Sequence, residues 1–208
     1  MIKNIVFDMG NVLVKYDPKY FLKDYPDFER GLFDAEIYHS NHWRRFDRGE
    51  LSEEELIELV NSHIPQHYHA DAKKLIQWYN LSAPIEGMES LIEQLKTNGY
   101  HIYLLSNTSL AFHKFSKNIS ALRYFTGLFI SADCGLLKPD KQIFRLFCNQ
   151  FSLCPSECVF IDDTLVNVKS ASEEGFTGIR FNGDTSMLKH ELVRLGILSD
   201  CEQNERNA

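Results

Sequence analysis

Residues 4–8 read NIVFD, a short apolar run closed by an acid, and four later stretches share that form. They are residues 101–107 (HIYLLSN), 127–131 (GLFIS), 158–162 (CVFID) and 177–182 (TGIRFN). Each is nearly continuous in apolar residues rather than alternating. That is the pattern of a strand covered on both faces, as in a parallel sheet. Helical patterns lie between them. Residues 85–98 (IEGMESLIEQLKTN) stop at Gly99, a residue suited to follow a helix end. Residues 139–151 (PDKQIFRLFCNQF) place Pro139 where a first helical residue is expected. Residues 165–174 and 186–195 read as two more helices. Strand and helix in repeated alternation predict an α/β domain, doubly wound around a parallel sheet.

Residues 17–81 break the rhythm. They hold no strand pattern and several helical ones. The clearest covers residues 51–60, where Ser52 and Glu55 form a capping box and Leu51 and Leu56 a hydrophobic staple. Leu56, Ile57, Leu59 and Val60 make one apolar face. This stretch reads as a small helical module inserted after the first strand. The expected organisation is an α/β core from residues 1–16 and 82–200, a helical cap over residues 17–81 and a polar tail at 201–208. A length of 208 residues allows one main domain plus such an accessory.

Twenty-two basic residues against 29 acidic ones give a net charge of −7. Such a chain repels phosphate backbones, so no nucleic-acid partner is expected. No run of about 18 apolar residues occurs, so no membrane span is expected. The opening MIKNIVFD reaches an acid within eight residues and has no small-residue cleavage site, which argues against a signal peptide. Five cysteines, an odd number set in or beside apolar segments, fit a reduced, cytoplasmic setting. The expected assembly is a monomer or homodimer.

In open α/β sheets, ligands bind beyond the carboxyl ends of the strands. Asp8 ends the first strand, Ser106-Asn107 the second and Asp162-Asp163 the fourth. Lys138 follows the third. These residues could share one rim, and the set suits a divalent cation plus an anion. Mg²⁺ takes one or two carboxylates and keeps several waters. With its charge offset, a carboxylate can attack phosphorus. Ser106 is expected at a helix N-terminus, where backbone N–H groups bind anions. Lys138 would add a compact positive charge.

At these residues the chain resembles the haloacid dehalogenase (HAD) superfamily of hydrolases. FDMGNVLV is similar to its first motif, LLSNT to its second, LLKPD to its third and FIDD to its fourth, in the same order. The helical insert resembles the family's cap after motif one. FDMGNVLV together with RGELS in the insert is similar to a bacterial subgroup acting on sugar phosphates such as glucose 1-phosphate. The resemblance implies a Mg²⁺-dependent phosphatase of a small phosphorylated metabolite. Asp8 would be nucleophile and metal ligand, Gly10 a carbonyl ligand, and Asp163 would complete the metal site with Asp162 in support. Ser106, Lys138 and Asn107 would hold the phosphoryl group.

One position departs from the family. Most of its phosphatases carry a second Asp two residues after the nucleophile, as general acid and base. Gly10 stands there, with a positive φ as one expected reason. Losing such a group is worth about 10²–10⁴-fold in rate. His39 and His42 in the insert are candidate substitutes. Two rival functions fit the same residues. A 2-haloacid dehalogenase would need neither metal nor general acid, but Asp8, Asp162 and Asp163 without a cation would repel one another. A non-catalytic phosphometabolite-binding protein would keep the metal and phosphate residues. The bland expectations are that Trp43 and Phe46 pack a helix, Arg48-Gly49 ends one, and at most one or two of Arg44, Arg45 and Arg48 face the site. The paired histidines belong at the surface, and Asn167 on a helix face.

Overall fold

Alternate residues of β1 (Asn4–Phe7) belong to different cores. Ile5 and Phe7 join one buried cluster and Val6 the other, and none of the three is exposed. Successive strand side chains point to opposite faces, so both faces of this sheet are covered. That is why its strands read as continuous apolar runs. The computed structural model describes residues 1–199, so the expected tail at 201–208 lies outside the described residues.

The other strands are β2 (His101–Ser106), β3 (Gly127–Ile130), β4 (Cys158–Asp162) and β5 (Thr177–Arg180). They form one parallel sheet in the order β3-β2-β1-β4-β5. β1 is central, with Ile5 level with Ile102 on one side and Val159 on the other. The chain winds outward from β1 through β2 and β3, then returns past it to β4. The strand order therefore reverses beside β1, where α/β sheets open a ligand crevice.

Between β1 and β2 the regular elements are all helical. They include α1 (Pro18–Phe21), α2 (Asp27–Phe33), α3 (Asn41–Asp47), α4 (Glu53–His63) and α5 (His69–Ile76). The capping box of α4 forms with both bonds present, and Leu51 and Leu56 are buried in the same cluster. After these come α6 (Met88–Thr97), α7 (Phe112–Phe115), α8 (Lys141–Phe151), α9 (Leu165–Glu173) and α10 (Thr185–Arg194). α6 and α10 bury Leu91, Leu95, Leu188 and Leu192 on the face that carries Ile5. α8 and α9 bury Phe144, Phe147 and Ala171 on the opposite face.

Pro139 does not begin α8. Asp140 caps that helix, accepting from the Gln142 N–H at 2.9 Å, and Lys141 is its first residue. The chain is held back because the Lys138 backbone is tied to Asn107 just before it. Among the described residues, Cys134, Cys148, Cys154 and Cys158 are free thiols. Among them too, no helix is long and apolar enough to cross a membrane.

Candidate active site

Lys138 is buried, with 4% of its surface exposed, yet its ammonium has all the partners it can use. It donates to Asp8 Oδ1 at 2.8 Å, Asp162 Oδ2 at 2.7 Å and the Leu105 carbonyl at 2.9 Å. Three N–H donors meet three acceptors. Asn107 fixes the backbone below it: the amide donates to the Lys138 carbonyl at 2.9 Å and accepts from the Lys138 N–H at 2.8 Å. Burial works against the Lys138 charge, but Asp162 and Asp8 outweigh it and hold the ammonium above its usual pKa.

Asp162 is fully buried and anchors its neighbours. Besides Lys138 it accepts from Thr164 N–H at 2.8 Å and from Asn167 Nδ2 at 3.1 Å on each oxygen. Asn167 is thus no mere helix-face residue. It stands in the first turn of α9, aimed back at the strand end.

Asp8, Asp162 and Asp163 each present an oxygen within 4.8 Å of the others. Three carboxylates share one ammonium, so the cluster is short of positive charge. Burial, joined by the Asp162 charge and opposed by Lys138, pushes Asp8 up to about 7. Burial likewise raises Asp163, with the Asn11 amide pulling the other way. This set of hard oxygens fits Mg²⁺. The Gly10 carbonyl beside it receives no hydrogen bond among the described residues, which leaves it free as a further oxygen ligand.

The left-handed residue of the loop after β1 is Asn11, with φ of 54°, rather than Gly10. Asn tolerates that region by bonding locally. Its Oδ1 accepts from Tyr16 N–H at 2.9 Å and its Nδ2 donates to Asp163 Oδ2 at 3.2 Å. A Cβ at Gly10 would make ordinary contact with the Tyr16 side chain, 3.4 Å from its Cβ, so a longer residue there would meet Tyr16.

Ser106 is not at a helix N-terminus. The next helix starts only at Phe112 and is four residues long. The chain after β2 is drawn instead toward Ser131, whose hydroxyl accepts from Thr108 N–H at 2.9 Å. Ser106 is nonetheless buried at the end of β2 and faces the same cavity as Asp8.

That cavity has a volume of about 420 Å³. Asp8, Gly10, Ser106, Asn107, Lys138 and Asp163 line it, so the predicted residues converge, with Asp162 buried beneath. The facing wall is aromatic: Tyr16, Trp43 and Trp78, with the Tyr16 and Trp78 rings 4.8 Å apart and edge-on. Trp43 both packs its helix and faces the cavity. Phe46 is buried as expected.

His39 and His42 do not reach this space. His39 is exposed and pairs with Asp34 at 3.1 Å. His42 packs against His63, with ring centroids 5.7 Å apart. Arg44, Arg45 and Arg48 do not line the cavity either. The insert contributes two acids instead: Asp17, whose side chain caps α1 by accepting from Lys19 N–H at 2.9 Å, and Asp47, the last residue of α3. Nothing local in FDRGE separates it from a solvated acid.

The family model for haloacid dehalogenase-like hydrolases matches residues 2–175. A sesquiterpene phosphatase of Aspergillus oryzae is 29% identical, over 92% of this chain and 96% of its own length. A D-ribitol-5-phosphate phosphatase of Bacteroides thetaiotaomicron is 28% identical, over 85% of this chain and 90% of its own. A solved magnesium complex of a HAD family enzyme from Bacteroides thetaiotaomicron superposes with a TM-score of 0.71 at 25% identity, covering 90% of this chain and 98% of that one.

Proposed function

Since the chain belongs to the haloacid dehalogenase-like hydrolases and is an enzyme of that family, we propose that it is a Mg²⁺-dependent phosphatase of a small phosphorylated metabolite, with Asp8 as nucleophile. One observation carries this: Asp8 and Asp163 line a cavity beside Lys138, in a cluster of three carboxylates that one ammonium cannot neutralise. Asp8, Asp163 and the Gly10 carbonyl would hold the cation. When bound, Mg²⁺ supplies charge that eases attack by a carboxylate on a phosphoryl group.

The chain's own residues divide the rest. One Asp8 oxygen forms a bond to phosphorus as the bond to the leaving oxygen breaks, and water later releases phosphate from the aspartyl-phosphate. Lys138 keeps Asp8 oriented and places positive charge beside the transferring group. Ser106 and Asn107 shape the floor on which that group rests. The residues from 17 to 81 act as the cap that excludes bulk water, with Trp43 and Trp78 offering apolar faces to the substrate's carbon skeleton.

The substrate class is a sugar or polyol phosphate, as the cavity volume and the named D-ribitol-5-phosphate phosphatase support. The dehalogenase alternative is disfavoured by the same surplus of carboxylate charge. The test is phosphate release from a panel of phosphorylated metabolites and p-nitrophenyl phosphate, with Mg²⁺ and with EDTA. Turnover that needs Mg²⁺ is expected. Chloride release from 2-chloropropionate, indifferent to EDTA, would replace this reading with the dehalogenase one.

A further inference from the structure

We propose that Asp47, carried by the helical insert, is the proton carrier of this reaction and does the work of the acid missing at Gly10. The inference rests on the phosphatase reading.

The position comes first. Asp47 lines the cavity that holds Asp8, on the wall built by Tyr16 and Trp43. Among the described residues, no N–H, hydroxyl or cationic side chain bonds to its carboxyl group. The half-buried carboxyl is thus left open to the cavity rather than tied to the protein.

The placement is fixed by the core. The Ser131 hydroxyl, itself fully buried, donates to the Asp47 carbonyl at 2.6 Å. Two residues on, a Cβ at Gly49 would lie 2.5 Å from the Ala132 carbonyl oxygen, so backbone meets backbone there. The turn carrying Asp47 is thereby held against the segment just beyond β3.

The other candidates fail on position or chemistry. His39 and His42 lie elsewhere, and the Asp17 carboxyl, though at the cavity, is exposed and tied to Lys19 N–H at 2.9 Å as the cap of α1. The Asn11 amide is bonded to Asp163 and Tyr16. The Tyr16 phenol is held well above its usual pKa by burial, with Asp47 and Tyr38 adding to it, so it cannot accept a proton from water. The Asp47 carboxyl is pushed up to about 7, by burial first and by the Asp8 charge second. A group poised near neutrality can both give and take a proton.

The steps balance. Asp8 attacks phosphorus, the bond to the leaving oxygen breaks, and the Asp47 proton moves to that oxygen to release an alcohol. Water then attacks the aspartyl-phosphate and gives a proton to the Asp47 carboxylate. The bond from phosphorus to Asp8 breaks, and both residues return to their starting states.

Asp47→Asn tests this in the burst phase, which isolates the first half-reaction. The readout is the ratio of burst rates for p-nitrophenyl phosphate and for the best alkyl phosphate of the panel. A nitrophenolate needs little protonation, whereas an alkoxide needs it fully. The ratio should rise about 100-fold or more, within the range set by general acid catalysis. Acid-quenched Asp47→Asn should also retain more phosphorylated protein than wild type, because water lacks its base. Asp47→Ala should give the same ratio as Asp47→Asn. An unchanged ratio in either variant, whatever the loss of rate, would overturn the role and leave Asp47 structural. A wild type that releases phosphate from nothing would overturn the phosphatase reading itself.

Discussion

Lys138 shows how much of this site is electrostatics held under tension. Its ammonium is the shared partner of Asp8 and Asp162, in a place almost closed to water. Removing one member of a buried pair strands the other, at about 3–5 kcal/mol. Lys138→Met should therefore lose roughly that much stability in urea unfolding and abolish turnover, although the side chain keeps its length. Asp8→Asn should leave the fold intact and reduce turnover to below about 1% of wild type, because an amide is a poor nucleophile. Asp47 offers the opposite balance. Its carboxyl binds a proton more tightly folded than unfolded, so it favours folding at low pH. That contribution is present below about pH 4 and is lost as the pH rises through about 7. Asp47→Asn should match wild type at pH 4 and exceed it by up to about 4 kcal/mol at pH 8, measured by urea unfolding in EDTA. A variant that gains stability while losing the proton step is the trade expected of a catalytic group. Asp8, Lys138 and the Asp162-Asp163 pair were legible in the sequence because each closes or follows a strand. Asp47 was not, because long-range packing alone brings it to the cavity, and Asn167 read as an ordinary helix-face amide because only the turn from β4 into α9 aims it back at Asp162.

Among the elements, the strands were the most legible, since two-sided burial writes itself as continuous apolar residues. All five form, and their ends shift by no more than two residues. Helix starts were less so. Pro139 looked like an opening residue, but its predecessor serves the site and the helix waits for Asp140. Ser106 looked like a cap because a hydroxyl after a strand suits one, yet the chain there is claimed by Ser131. α3 ends where the Arg48-Gly49 pair implies: Arg48 closes it and Gly49 turns left-handed at φ 73°. The tertiary reason for that glycine lies outside its own helix, in the Ala132 backbone. Gly49→Ala should cost about 1–3 kcal/mol, the usual range for forcing a side chain into such a backbone. It should also lower turnover by displacing the turn that carries Asp47. Thermal unfolding beside kinetics would check both effects.

Over the whole molecule, three of the 29 acidic residues, Asp8, Asp162 and Asp163, gather where they could hold a cation. Mg²⁺ should stabilise the folded protein, by about 2.7 kcal/mol at a hundred times its dissociation constant. Asp163→Ala should move that thermal-shift titration to higher Mg²⁺, and raised Mg²⁺ should partly restore activity. An unmoved titration would place the cation elsewhere. The Ser131 bond to the Asp47 backbone has one more consequence, which concerns timing. The turn it secures carries one wall of the cavity, while Ser131 is buried just beyond β3, outside the cavity lining. If residues 17–81 act as the proposed cap, lifting it to exchange substrate for product would have to break that bond and carry Asp47 away. An open molecule would then load and unload with no proton to give, and a closed one would react without exchanging. Access and reactivity would be wired like the interlock on a furnace door, where the latch itself completes the circuit.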